Sequence, residues 1–346
     1  MNLDPRLATA HVTVQTRSLG RSGPRVSALG LGCMGMSDLY GPADERESLA
    51  TIHAAFDAGI DLLDTGDFYG MGHNEMLIGR ALREIPRDRV KLSVKFGAQR
   101  GPDGAWLGYD ARPPAVKSAL AYTLRRLGTD HVDVYRPSRV DPNVPIEDTV
   151  GAIAELVQAG YFRHVGLSEA GADTIRRAHA VHPVVDLQIE YSIISRGIEQ
   201  AILATTRELG IGITAYGVLS RGLLSEDAAN AATRGGFRRH LPRFQGDNLR
   251  HNLSLVESLK AIAAQRGVSV AQLAIAWALS RGDDIVPLVG ARRRDRLAEA
   301  LGALDVALSP DEIARIERAV PPDAAAGGRY SAEQMRMLDS EHSTVR

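Results

Sequence analysis

The sequence predicts a (β/α)8 barrel built as a single domain. Three observations point there. Short apolar segments alternate with amphipathic helical ones throughout the chain after residue 44, eight strand-like segments are present, and no Pro/Gly/Ser-rich linker divides the 346 residues. Strict alternation makes the strands parallel, because each helix must carry the chain back over the sheet. Eight such units suit a closed barrel better than an open doubly wound sheet.

The elements follow in order. VSALGLG (26–32) is the first strand. ERESLATIHAAFDAG has apolar residues at helical spacing and a glycine, Gly59, as its stop signal, and it leads to the buried strand IDLLDTG. The pair then recurs: NEMLIGRALREI with VKLSVKFG, PPAVKSALAYTLRRLG with HVDVYRP, and PIEDTVGAIAELVQAG with FRHVGLS. GADTIRRAHAV precedes VVDLQIEYS, IEQAILATTRELG precedes IGITAYG, and SVAQLAIAWALS precedes DIVPLVG. The stretch at 219–244, rich in glycine and arginine, is too long for a simple connection; long βα loops in barrels serve as lids or cofactor clasps. SPDEIARIERAV reads as a final helix. We expect a loose leader over 1–16, the barrel over 17–322, and a polar tail with mobile residues over 323–346.

Composition excludes several classes. Net charge is −1 and the pI about 6.8, so neither a basic footprint for nucleic acid nor an acidic tail is present. Cys33 is the only cysteine, which rules out internal disulfides and fits a reducing compartment. No apolar run approaches the roughly 20 residues that span a bilayer, and MNLDPRLATAHVTVQT lacks the layout of a signal peptide. These features lead us to expect a cytoplasmic protein without membrane or nucleic-acid partners. The oligomeric state stays open.

GLGCMG (30–35) matches the G-x-G-x-x-G dinucleotide fingerprint, but that motif needs a helix to begin on its last glycine. MSDLYGPADE follows instead, so these glycines serve backbone approach at a strand end rather than a Rossmann site. In a barrel the active site lies at the C-terminal strand ends. Those ends carry Asp64 with Tyr69, Lys95, Ser138, Ser168 with Glu169, Gln188, Tyr216, and GARRRDR (290–296). Lys91, Ser93 and Lys95 share one strand face, and Lys95 is the last of them. A lysine on a buried strand needs a partner, and Asp64 on the neighbouring strand can supply it. A phenol of pKa about 10 is a poor acid–base group at neutral pH, and a nearby cation favours its ionised form. Asp64, Lys95 and Tyr69 together suit a tyrosine general acid that protonates a carbonyl oxygen. A metal would need clustered His/Asp/Glu ligands; only Asp64 and Glu169 qualify, so none is expected.

LGLGCMGMS, GIDLLDTGDFYG, NEMLIGRAL, SVKFG, VDVYRPSRVDP, PIEDTVGAIAELVQAGYFRHVGLSE, LQIEYS, AYGVLSRGLL and VPLVGARRRDRLAEAL occur in this order. Over roughly 17–320 the chain resembles the aldo-keto reductases, most closely the bacterial branch similar to potassium-channel β-subunits and pyridoxal reductases. The resemblance implies NADPH bound without a Rossmann fold and a small carbonyl or alcohol substrate. It makes Tyr69 the acid–base residue with Asp64 and Lys95 as partners. Ser168, with Glu169 beside it, and Gln188 would hold the nicotinamide carboxamide, and Tyr216 would stack on the ring. Gly32, Cys33 and Met34 would border the cofactor at the first strand end. Backbone amides near Gly217, Leu219, Ser220 and Arg221 would meet the pyrophosphate. Beyond Gly290, Arg292 and Arg296 would grip the 2′-phosphate, one helical turn apart at a helix N-terminus, and Glu299 the adenine amine.

The resemblance fails at one catalytic position. The family carries a histidine in its strand-four motif, and DVYRPSR (133–139) puts Ser138 there, with Glu169 and Ala300 where asparagines are common. Three readings of Ser138 follow. Tyr69 and Lys95 reduce carbonyls with a hydroxyl or water standing in for the imidazole; the smaller side chain widens the mouth for a bulky ketone; or the chain is a non-catalytic NADPH-binding sensor or regulatory subunit. Trp106, Tyr109 and Tyr40, on loops beyond strand ends, are candidate pocket walls.

Overall fold

The computed structural model describes residues 14–37, 40–226, 228–233 and 236–342. Eight parallel strands close into a barrel in chain order: β1 (Gly30–Gly32), β2 (Leu62–Gly66), β3 (Lys91–Phe96), β4 (Val134–Pro137), β5 (His164–Ser168), β6 (Val184–Glu190), β7 (Gly212–Tyr216) and β8 (Ile285–Val289). Each is buried on both faces, as parallel strands under a helical layer must be. The predicted alternation is therefore the observed architecture.

The helices α1 (Glu45–Asp57), α2 (His73–Ala81), α3 (Pro113–Leu127), α4 (Ile146–Gln158), α5 (Ala172–Val181) and α6 (Ile202–Leu209) follow β1 to β6. After β7 the long loop folds into a short helix, α7 (Ala228–Thr233), and two 3-10 turns, Gly236–His240 and Pro242–Phe244. Two helices then precede β8: α8 (Gly246–Arg266) and α9 (Val270–Ser280), the latter started by a capping box between Ser269 and Gln272. After β8 come α10 (Arg294–Leu301), α11 (Pro310–Ala319) and α12 (Ala332–Arg336). No single described helix is long and apolar enough to cross a membrane.

Two expectations are revised and one holds. The first strand is shorter than 26–32: Arg25–Ser27 pairs antiparallel with Thr16–Ser18, and only Gly30–Gly32 joins the barrel. Ser27 causes the break. Its Oγ donates to the Leu29 carbonyl at 2.6 Å while its N–H donates to Asp61 Oδ1 at 2.7 Å, so side chains take bonds that a ladder would use. Only a single 3-10 turn, Met34–Met36, lies at Gly35, and α1 begins at Glu45, which agrees with rejecting the fingerprint. The tail does not trail away, because residues 329–341 return to the barrel mouth. Of the leader at 1–16, residues 1–13 lie outside the described residues.

Alternation along the strands sorts the interior into layers. The N-terminal hairpin sends Leu19 and Val26 against Leu62, Val134 and Val286, an apolar plug with all five side chains fully buried. The next inward positions are polar: Asp64, Ser93, Arg136, Asp186, Gln188 and Thr214. Gly30 is small of necessity, since a Cβ there would stand 2.5 Å from Leu288 and 2.9 Å from Leu62. The plug closes one end, and the chemistry collects at the other.

Candidate active site

A cavity of about 500 Å³ opens at the C-terminal end of the strands, reaching from Tyr69 and Lys95 outward to Arg292, Arg296 and Glu299. At its base Lys95 Nζ donates to Asp64 Oδ1, and both side chains are almost wholly buried. Asp64 Oδ2 accepts from Ser93 Oγ at 2.8 Å and from Gln188 Nε2 at 2.7 Å. Lys95 Nζ stands 5.1 Å from the centroid of the Tyr69 ring, which is 6% exposed. The three residues that sequence reasoning joined are therefore together, on the ends of β2 and β3 and the turn after β2.

The electrostatics differ from expectation. Burial, and then the Asp64 charge, hold the Tyr69 phenol well above its ordinary pKa, with Arg139 opposing in part. Burial lowers the Lys95 ammonium, and Asp64 counteracts. Lys95 does not make Tyr69 a readily ionised phenol in the resting site, because burial of the phenol and the Asp64 charge beside it outweigh the ammonium. Tyr69 keeps its proton at neutral pH.

Beneath this trio lies an ion pair that sequence reasoning missed. Arg136 of β4 meets Asp186 of β6 at 2.5 Å, and both are fully buried. Arg136 also donates to Ser93 Oγ at 2.8 Å and Thr214 Oγ1 at 3.1 Å, so Ser93 links it to Asp64. The signal was present: Asp186, Gln188 and Glu190 repeat with period two on an otherwise apolar strand, and Arg136 sits between Val134 and Ser138 on the inward face.

Ser138 lines the cavity, 2% exposed, and its Oγ has no hydrogen-bond partner. The β3–β4 pairing fixes it, since its N–H donates to the Phe96 carbonyl at 2.8 Å. Phe68, Trp106 and Tyr109 form the adjoining wall; the last two belong to a hairpin of Ala98–Arg100 with Trp106–Tyr109 after β3.

All predicted positions line the cavity except Cys33, Ser168, Glu169 and Ser220, which stand behind its wall. The Cys33 thiol is fully buried against the Leu31 carbonyl, and burial pushes its pKa up. Ser168 Oγ is met by Arg139 at 3.5 Å. Gln188 is committed to Asp64. Glu169 is taken by the tail: Arg329 reaches its two oxygens at 2.9 and 2.5 Å, Ser340 Oγ donates at 2.7 Å, and Tyr216 OH donates at 2.6 Å. Arg329 outweighs the burial of Glu169 and holds its carboxyl well below the usual range. Tyr330 follows into the cavity and meets Tyr216 OH at 2.9 Å. No local pattern marks Arg329 and Tyr330 in the sequence.

On the β7 and β8 side, Gly217, Ser220 and Arg221 have positive φ values of 68°, 44° and 57°, a tight turn after β7. Ser220 Oγ is buried without a partner, and Arg221 pairs with Glu190 at 2.8 Å. The loop after β7 closes this side, with Arg238 over the Tyr40 ring at 4.5 Å. Met34 borders the cavity from β1. Arg292 Nη1 reaches the carbonyls of Tyr40, Gly41 and Pro42 at 3.1 to 3.2 Å, while Arg296 pairs with Glu299 at 2.9 Å. The two arginines are not one turn apart on a helix: Arg293 is the N-cap and α10 begins at Arg294, so Arg292 belongs to the preceding loop.

Among the described residues no three His, Cys, Asp or Glu side chains stand close enough to hold a metal. A family model described as the Aldo/keto reductase family matches residues 28–321. A probable aldo-keto reductase from Glycine max is 42% identical over 322 residues, 92% of either chain. Among solved structures, the glycerol dehydrogenase of Gluconobacter oxydans superposes with a TM-score of 0.78 at 26% identity, over 96% of this chain and 97% of that one. A thermostable aldo-keto reductase in complex with the inhibitor epalrestat gives 0.71 at 28% identity, over 88% and 99%.

Proposed function

The chain belongs to the aldo-keto reductase family and is an oxidoreductase of carbonyl groups; from that premise we propose that it reversibly reduces a small aldehyde or ketone with NADPH, Tyr69 giving the proton. One observation carries the reading: a buried, protonated phenol beside an Asp64–Lys95 pair at the base of a deep cavity.

The residues fit a dinucleotide. Tyr216 offers an aromatic ring, Ser220 a buried hydroxyl without a partner, and Arg292 and Arg296 positive charge at the far end of the same cavity. Their two charges favour NADPH over NADH. A reduced nicotinamide would supply the hydride.

The chain's own groups handle the proton. Tyr69 Oη holds it until the carbonyl oxygen gains negative charge. Lys95 then favours the phenolate left behind, and Asp64, fixed by Ser93 and Gln188, keeps the ammonium in place. Ser138 Oγ is the free hydroxyl able to hold the carbonyl oxygen where relatives use an imidazole. Phe68, Trp106 and Tyr109 give the substrate an aromatic wall beside Tyr69. The single buried cysteine supports a cytoplasmic setting.

Tyr69→Phe is expected to lower carbonyl reduction by roughly 100-fold or more while NADPH still binds. Unchanged turnover in that variant sinks the mechanism.

A further inference from the structure

Each buried carboxylate at or behind the inner cavity wall already has its cation. Asp64 holds Lys95, Glu169 holds Arg329, Glu190 holds Arg221, and Asp186 below them holds Arg136. Arg139, one residue past Ser138, lines the same cavity and forms no ion pair among the described residues. Its bonds go to neutral oxygens only: the Ser138 carbonyl at 2.6 Å, the Tyr330 hydroxyl at 3.3 Å and Ser168 Oγ at 3.5 Å. Its Nε is buried without a partner, as is the neighbouring Ser138 Oγ.

A guanidinium stays charged in any protein; Glu169 favours the Arg139 charge from a distance but is itself committed to Arg329, so Arg139 has no carboxylate in contact. Nη2, held by one long bond, is the donor within reach of a carboxylate oxygen, and the buried Nε would complete the fork with a shift of the guanidinium. The position assigns the anion to the substrate rather than the cofactor. The cofactor's anionic groups belong with Ser220, Arg292 and Arg296 beyond β7 and β8, whereas Arg139 follows β4 and bonds Ser168 and Tyr330 at the end of the cavity where Tyr69 and Tyr216 stand and the nicotinamide carboxamide is neutral.

We propose that Arg139 binds the carboxylate of an oxo acid whose carbonyl faces Tyr69 and Ser138, so that the enzyme prefers acidic carbonyl compounds. This rests on the reductase reading above for the reaction, though not for the binding. The substitution of serine for histidine at 138 then has a companion: the space is kept beside a fixed cation.

The test compares acids with their methyl esters, 4-carboxybenzaldehyde and pyruvate among them, in the wild type, Arg139→Gln and Arg139→Lys. The acid-to-ester ratio of kcat/KM is expected to fall roughly 10- to 100-fold in Arg139→Gln, mainly through KM, and less in Arg139→Lys, which keeps charge without the fork. Calorimetry with benzoate in the presence of NADP gives a readout free of turnover: binding in the wild type, lost in Arg139→Gln. An unchanged ratio, or benzoate binding that is absent in the wild type, overturns the proposal. So does a loss of NADPH affinity with benzoate binding intact, which would give Arg139 to the cofactor. Benzoate binding that depends on Arg139 in a protein reducing no carbonyl would uphold the subsite and remove the reductase reading instead.

Discussion

Glu169 and Arg329 stand 160 residues apart and form a two-point ion pair at 2.9 and 2.5 Å, with side chains 0% and 9% exposed. This pair brings the C-terminal segment onto the platform formed by Tyr216. Removing one partner leaves a buried charge, so Arg329→Met is expected to cost about 3–5 kcal/mol in urea unfolding, and Glu169→Gln with Arg329→Met much less than the sum. Glu169 is depressed in the folded state, so its stabilisation is present above pH ~4 and fades as pH falls below that. An additive double variant would show that the two do not act as a unit.

Tyr69 titrates above its ordinary value, so the proton-bearing form prevails through neutral pH. Carbonyl reduction is expected to stay level from pH 6 to 9, with no loss before about pH 10. Alcohol oxidation needs the ionised form and should climb with pH over the same span. Steady-state rates in both directions check this; a fall in reduction near pH 7 that disappears in Tyr69→Phe contradicts it.

Among the described residues Arg296 forms its ion pair with Glu299, and its side-chain exposure is 45%. Replacing it with alanine is expected to weaken NADPH binding roughly 10- to 100-fold and leave NADH nearly unaffected. Fluorescence titration with the two cofactors decides, and equal losses would remove the 2′-phosphate assignment.

Asp67, in the turn leading to Tyr69, is pushed up to about 7 by burial; the Gly97 N–H opposes and Glu75 reinforces. Its folded state binds a proton more tightly than the unfolded chain, so stability falls as pH rises from about 4 to 7. Asp67→Asn keeps an acceptor for the Gly97 N–H, 3.1 Å away, and avoids the charge. It should add up to ~4 kcal/mol at pH 8 and little at pH 4, measured by urea unfolding. Equal effects at both pH values would show that desolvation of the charge is not the cause.

Periodicity along single elements determined most of this protein. Strand–helix alternation specified a parallel barrel, and the barrel placed Asp64, Tyr69, Lys95, Gln188 and Tyr216 at one mouth, because strand ends converge wherever the intervening helices return the chain. Ser138 was visible as a departure at a known position. Tertiary structure alone decided which charge faces which. Gln188 went to Asp64, Glu169 to Arg329 and Arg136 to Asp186, pairings made across the barrel or from the tail between residues that share no local spacing. The sequence presents the donors and acceptors, but only burial makes each seek a counter-charge, and only the closed barrel determines which one is within reach. Arg139, left over from that pairing, is therefore a finding of the fold.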